Sequence, residues 1–172
     1  MRSQDIALSA LTAALYAVLV VVLQPISFLA FQVRLADTLL PLSMVYGFPV
    51  AVGVSLGCFV GNFLAAPWGS LSLSMIDAVF GSIANFVASM LAYLIAKRGA
   101  GIKFKILGAA TEAVVVSIIV GTYLKFLLEW AMGIDLPLLL SVLGVLGGSI
   151  VSIVIIGVPV AVIVEKNFPR FK

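Results

Sequence analysis

The chain has 172 residues, of which 17 are charged (10 Lys and Arg, 7 Asp and Glu), 63% are apolar and none is histidine. Without histidine, imidazole acid–base chemistry is closed to it and metal ligation would rest on carboxylates alone. Its one cysteine, Cys58, lies inside an apolar run, which excludes an intramolecular disulfide or a thiolate cluster and reads as a small core residue.

The apolar runs reach roughly 20 residues, enough to cross hydrocarbon, and the basic residues between them set the orientation. Arg2, the stretch Lys97, Arg98, Lys103 and Lys105, and the closing Lys166, Arg170 and Lys172 hold eight of the ten. Lys- and Arg-rich loops stay in the cytoplasm, which places both termini and the 97–105 loop there and requires an even number of crossings between clusters. The expected fold is an all-α integral membrane protein of the plasma membrane, a six-helix bundle in one domain. Its crossings are expected at 5–23, 36–47, 48–65, 74–96, 106–128 and 136–164. The pI near 9.2 is then a matter of topology beside anionic lipid, and no nucleic-acid partner is expected.

The first helix carries Asp5 ahead of its apolar run, and Gln24-Pro25-Ile26 offers no small-residue cleavage pattern, so it is expected to be retained. Ala10 with Ala14 and Ala13 with Ala17 form overlapping AxxxA pairs, a flat strip that lets another helix approach closely. For this strip, packing within the bundle and contact with another chain stand equal. Gly53, Gly57 and Gly61, then Ala84, Ala88, Ala92 and Ala96, then Gly144 and Gly148, read as packing inside the bundle. The stretch from Pro25 to Asp37 is expected outside, over the bundle mouth. There Arg34 and Asp37 either pair with each other, or Asp37 caps the next helix, or both contact a ligand. The second helix is short: about 12 residues rise only ~18 Å against a ~30 Å core. Residues 36–65, broken at Gly47 and Pro49, are therefore open to a second reading as a re-entrant pair.

Polar groups inside a span are costly unless paired or facing a cavity. Asn62 lies near the outer end of the third segment, Asp77 at the outer start of the fourth and Asn85 two turns further in. Asp77 also suits the first turn of a helix, and Asn85 also suits a bridge between helices. Glu112 is the deepest acidic residue, explained by function, by snorkelling or by pairing with Lys105. Lys125 and Glu129 read as a local pair. Trp68 and Trp130 suit the outer interface as anchors, or a ligand to stack on. No GxxxxGK[ST] loop and no GxSxG elbow occurs, so neither ATP hydrolysis, nor an enzymatic reaction, nor a cofactor is expected. With no repeated broken-helix pair, the economical reading is a substrate-capturing subunit that draws energy from other chains. A stand-alone small transporter or channel is the alternative.

The run Phe31-Gln32-Val33-Arg34-Leu35-Ala36-Asp37-Thr38-Leu39-Leu40-Pro41 resembles the Gln-x-Arg-x-x-Glu-x-x-x-x-Leu-Pro stretch of QueT-type proteins. These are S components, the substrate-binding subunits of energy-coupling-factor (ECF) transporters assigned to queuosine precursors. Gly57-Cys58-Phe59-Val60-Gly61-Asn62-Phe63-Leu64 and Ile76-Asp77-Ala78-Val79-Phe80-Gly81-Ser82-Ile83-Ala84 resemble the next two family signatures, and Gly157 followed by Pro159 fits the last helix. The likeness is strongest over residues 1–98.

The resemblance implies a six-helix S component that binds a vitamin-like molecule near the outer face. Such a subunit topples against a T component driven by two ATPase subunits. It makes Ala10, Ala13, Ala14 and Ala17 partner-contact candidates. The candidate ligand set is Gln32, Arg34, Asp37, Asn62, Asp77, Asn85 and Glu112, with Phe28, Phe31, Phe80 or Trp68 for ring stacking. A 7-deazaguanine would offer its N–H and amino edge to one carboxylate, in the order Asp77, Asp37, Glu112, and its carbonyl to Arg or an amide. Where the family pattern has an Asn in the fifth helix and a Gly-Glu pair in the sixth, this chain has Val116 and Gly148-Ser149. Another vitamin-like heterocycle is therefore a second reading of the substrate.

Overall fold

The computed structural model describes residues 2–24, 33–99 and 101–168, and the described residues hold helices and no strand. In chain order these are α1 (Ser3–Val22), α2 (Leu35–Tyr46), α3 (Phe48–Ala65), α4 (Leu71–Ala96), α5 (Ile102–Met132) and α6 (Leu138–Asn167). All but α2 are long and apolar enough to cross a membrane. Leu, Ile and Val side chains stand exposed along their outer faces, as for Leu11, Leu64, Leu94, Ile118 and Ile163. Phe28, Phe31 and Gln32 lie outside the described residues.

Local chemistry sets the breaks. At the start of α1, Asp5 accepts the Arg2 backbone N–H at 2.9 Å, satisfying a donor that the helix end leaves open. Gly47 has φ +76°, and a Cβ there would lie 2.9 Å from the Tyr93 ring. Glycine alone makes that corner between α2 and α3, and Pro49 then sits in the first turn of α3, where its missing N–H costs nothing. Gly133, left-handed at φ 68°, closes α5 with its N–H on the Glu129 carbonyl at 3.0 Å. In α6 the turns widen to π-helical over Ile150–Gly157, just ahead of Pro159, which lacks the N–H an α-turn would return to Ile155.

Small residues set the packing. A Cβ on Gly53, Gly57 or Gly61 would fall 2.7, 2.6 and 2.8 Å from Ser9 O, Ala13 O and Val20 Cβ, so this strip seats α3 against α1. Ala84, Ala88 and Ala92 are fully buried on α4, which packs between α3 and α5, and α5 packs on α6. On α1 the alanines divide: Ala13 and Ala17 are half-buried toward α3, whereas Ala10 and Ala14 are exposed.

One expectation about this region changes. Arg34 and Asp37 do not sit over the mouth but are buried, 6% and 3% exposed. They lie level with residues midway along their own helices: Tyr16 in α1, Cys58 in α3 and Val116 in α5. The second helix is short because it starts partway across the bundle. Its first eight residues, Leu35–Leu42, are 3-10 helix, which rises about 2.0 Å per residue and lengthens its reach to roughly 22 Å. It ends beside the closing turn of α6, where the Tyr46 hydroxyl donates to the Phe168 carbonyl at 2.7 Å. Two helices run past their expected ends: α4 begins at Leu71 rather than 74 and α5 covers 102–132 rather than 106–128, whereas α3 keeps the expected 48–65.

Candidate functional site

Three polar layers are stacked down the interior of the bundle. The upper one, outermost on the topology set by the basic clusters, is centred on Asp77, 2% exposed. Its Oδ1 accepts from Asn62 Nδ2 at 3.1 Å and from the Tyr123 hydroxyl at 2.8 Å, and its Oδ2 from Trp68 Nε1 at 2.8 Å. Donors from α3, the α3–α4 loop and α5 thus converge on one carboxylate, which fulfils the requirement that a buried charge be fully hydrogen-bonded. Trp68 is 3% exposed; the expected place at the outer interface gives way because its N–H is needed inside. Trp130, 62% exposed, does stand at the surface.

The middle layer holds Arg34 and Asp37. Asn85 Nδ2 donates to the Tyr16 hydroxyl at 2.8 Å, and that hydroxyl donates to Asp37 Oδ1, a relay through α4, α1 and α2. The Arg34 guanidinium lies close enough to Asp37 to offset its charge, and its Nη1 is 3.9 Å from Cys58 Sγ. Asn85 is therefore the expected interhelical bridge, with Tyr16 as its partner. Gly81 lets the two layers approach: a Cβ there would meet Asn62 Nδ2 at 2.8 Å, Cys58 Sγ at 3.2 Å and the Tyr123 hydroxyl at 3.2 Å. Beside the middle layer is a cavity of about 10 Å³ lined by Arg34, Asp37, Val116, Val120, Val145 and Ser149, room for a single water. Val116 and Ser149, the two departures from the family pattern, both form its wall.

The lower layer is Glu112, fully buried, with Ser43 Oγ 3.2 Å from its Oε1 and 3.1 Å from the Ser89 carbonyl. Lys105 does not pair with it; that lysine reaches the end of α6 and bridges Glu165. Lys125 pairs with Glu129 at 3.3 Å, as expected, and also with Asp135 at 2.8 Å.

Of the candidate residues, Arg34, Asp37, Asn62, Asp77, Asn85 and Trp68 are brought together in the upper two layers. Glu112 stands apart below them. Phe80 is 47% exposed on the outer side of α4, its ring 5.8 Å from that of Tyr123, and Gln32, Phe28 and Phe31 fall outside the described residues. Tyr16 and Tyr123 were not singled out by the sequence, although a phenol midway along a span needs a partner for its hydroxyl. Among the described residues no cluster of three or more Cys, Asp or Glu is placed to hold a metal ion. Around the small cavity the arrangement gathers an acceptor on Asp37, a guanidinium donor and an apolar wall, with amide and phenol groups behind them.

A model of the QueT transporter family matches residues 6–166. No curated protein and no solved structure gave a match.

Proposed function

The chain belongs to the QueT transporter family, and from that premise we propose that it is the substrate-binding S component of an ECF importer, capturing a 7-deazaguanine queuosine precursor or a related heterocycle. The observation that carries the reading is that Arg34 and Asp37 line a small cavity inside a multi-pass bundle, with Asn85 tied to Asp37 through the Tyr16 hydroxyl and a second carboxylate layer nearby. Asp37 takes the lead over Asp77 as the ligand carboxylate. It borders the cavity, whereas both oxygens of Asp77 already serve Asn62, Trp68 and Tyr123. Asp37 would accept from the N–H and amino edge of the base and Arg34 would donate to its carbonyl, the pairing that bidentate base recognition uses elsewhere.

A cavity of about 10 Å³ holds no bicyclic ring. Binding in this reading requires the walls to part. Nothing in the chain hydrolyses ATP, since no phosphate-binding loop occurs in it. A T component and two ATPase subunits supply that work in this reading, and the exposed Ala10 and Ala14 face of α1 is where they would dock. Proteoliposome uptake tests it: the chain alone is expected to give no flux, and the chain with its partner subunits ATP-dependent accumulation. Flux through the chain alone would replace this reading with the stand-alone transporter.

A further inference from the structure

Glu112 takes no part in the capture site, and its surroundings are the least complete of any buried charge. Among the described residues, the charged side chains buried in the bundle are Arg34, Asp37, Asp77, Lys105 and Glu112. Lys105 bridges Glu165, Arg34 offsets Asp37, and Asp77 accepts from Asn62, Trp68 and Tyr123. No Lys or Arg pairs with Glu112 among the described residues, and the hydroxyl it meets is Ser43 Oγ, 3.2 Å from its Oε1. Its Oε2 has no hydrogen-bond partner, and neither has Ser89 Oγ, which is also fully buried. A carboxylate stays charged in such a place only where a cation or several donors meet it.

Three helices bring oxygen atoms to this point. Ser43, on α2, has its Oγ 3.2 Å from Glu112 Oε1 and 3.1 Å from the Ser89 carbonyl oxygen. Gly108 of α5 faces Ala92 of α4, where a Cβ on the glycine would lie 3.4 Å from the Ala92 carbonyl oxygen. Successive crossings run antiparallel, so Glu112, four residues on from Gly108, stands level with Ser89, three back from Ala92. Two features favour a metal cation over a proton. Both contacts of Ser43 Oγ are longer than the about 2.5–3.0 Å of a hydroxyl hydrogen bond. They come closer to the roughly 3.3–3.6 Å between neighbouring oxygens around an ion held at about 2.3–2.6 Å. A proton on Oε1 would complete the contact with Ser43 and leave Oε2 and Ser89 Oγ as they are, whereas a cation draws on the lone pairs of all these oxygens. Charge and size choose the ion. One carboxylate cancels one positive charge, and a divalent ion would leave a second one buried. Sodium, close to calcium in radius, suits the spacing, and the larger potassium ion does not.

We infer that Glu112, Ser43 and Ser89 form a binding site for one sodium ion, which ties α2, α4 and α5 together below the capture site. The site is tested without any small-molecule ligand, so it stands or falls independently of the capture reading. The melting temperature of the purified chain is measured in sodium, potassium and choline chloride at equal ionic strength. A saturable rise of at least about 3 °C is expected in sodium alone. Glu112→Gln is expected to abolish that rise. Ser89→Ala, which removes one oxygen and keeps the carboxylate, is expected to weaken the binding of radioactive sodium roughly tenfold. Equal melting temperatures in the three salts overturn the inference, and so does a sodium effect that survives in Glu112→Gln. Stability that follows pH and ignores the choice of cation also overturns it, and gives the place of the ion to a proton. If Glu112→Gln does not fold, unchanged sodium binding in both Ser89→Ala and Ser43→Ala overturns it in the same way.

Discussion

Asp37 and Asp77 are both buried carboxylates, yet their neighbours differ, and substitution is expected to separate them. Asp37 borders the cavity and accepts from the Tyr16 hydroxyl, beside Arg34. Asp37→Asn keeps the shape but turns an acceptor toward a donor, so ligand affinity is expected to fall at least tenfold, about 1.4 kcal/mol; calorimetric titration reads this. Asp77→Ala strands the donors of Asn62, Trp68 and Tyr123. Hydrogen bonds to a charged group are worth about 1.5–3 kcal/mol each and are not additive, so stability is expected to drop by roughly 2–4 kcal/mol in thermal unfolding. The reverse pattern would exchange their roles. These carboxylates were legible as candidates because a charge inside an apolar run demands an explanation. Which of the two borders the cavity was not legible, because that depends on Tyr16 and Tyr123, and a phenol suits core, interface or site equally in a sequence.

At the scale of helices, the contact of α1 with α3 rests on backbone approach. Gly57→Leu would drive a side chain into the Ala13 carbonyl, 2.6 Å from where the new Cβ would lie. Overpacking of this kind costs about 1–3 kcal/mol, and a lower melting temperature with loss of monodisperse protein is the expected reading. Ala14→Trp, on the exposed face of the same helix, is expected to leave folding and ligand binding intact and to block co-purification with the T component; retained assembly would free that face of the role. Helix ends were readable where Gly and Pro punctuate the chain, as at Gly47 and Pro49. They were obscured where charge continues into the helix: Lys103 and Lys105 read as loop, but a helix of 31 residues is longer than the ~20 that hydrocarbon needs and carries them past the interface. The depth of Arg34 and Asp37 was hidden for a related reason. A short, partly 3-10 helix leaves no periodic signature of where in the bundle it begins.

For the whole molecule, the even parity of crossings places Gly99 on the cytoplasmic side and Gly133 outside. In a background with Cys58, which is fully buried, replaced by Ala, Gly99→Cys is expected to react with an impermeant maleimide only from the cytoplasm. A cysteine at the exposed Asp135 is expected to react only from outside. Inverted or two-sided labelling would overturn the topology on which the order of the polar layers rests. The orientation rests on the charge clusters, because cytoplasmic loops are expected to hold most of the Lys and Arg. The packing of the polar interior was not readable, because it depends on how α3 and α5 approach Gly81 of α4.

The most direct measurement is to denature the purified chain, identify by mass spectrometry the small molecule it releases, and titrate that molecule against the wild-type and Asp37→Asn proteins. A panel of 7-cyano-7-deazaguanine, queuine, thiamine and riboflavin would be titrated beside it. The account predicts a released deazaguanine or similar heterocycle that binds the wild type tightly and loses at least tenfold in affinity with Asp37→Asn. Release of no small molecule, with no tight binding from the panel, would contradict it.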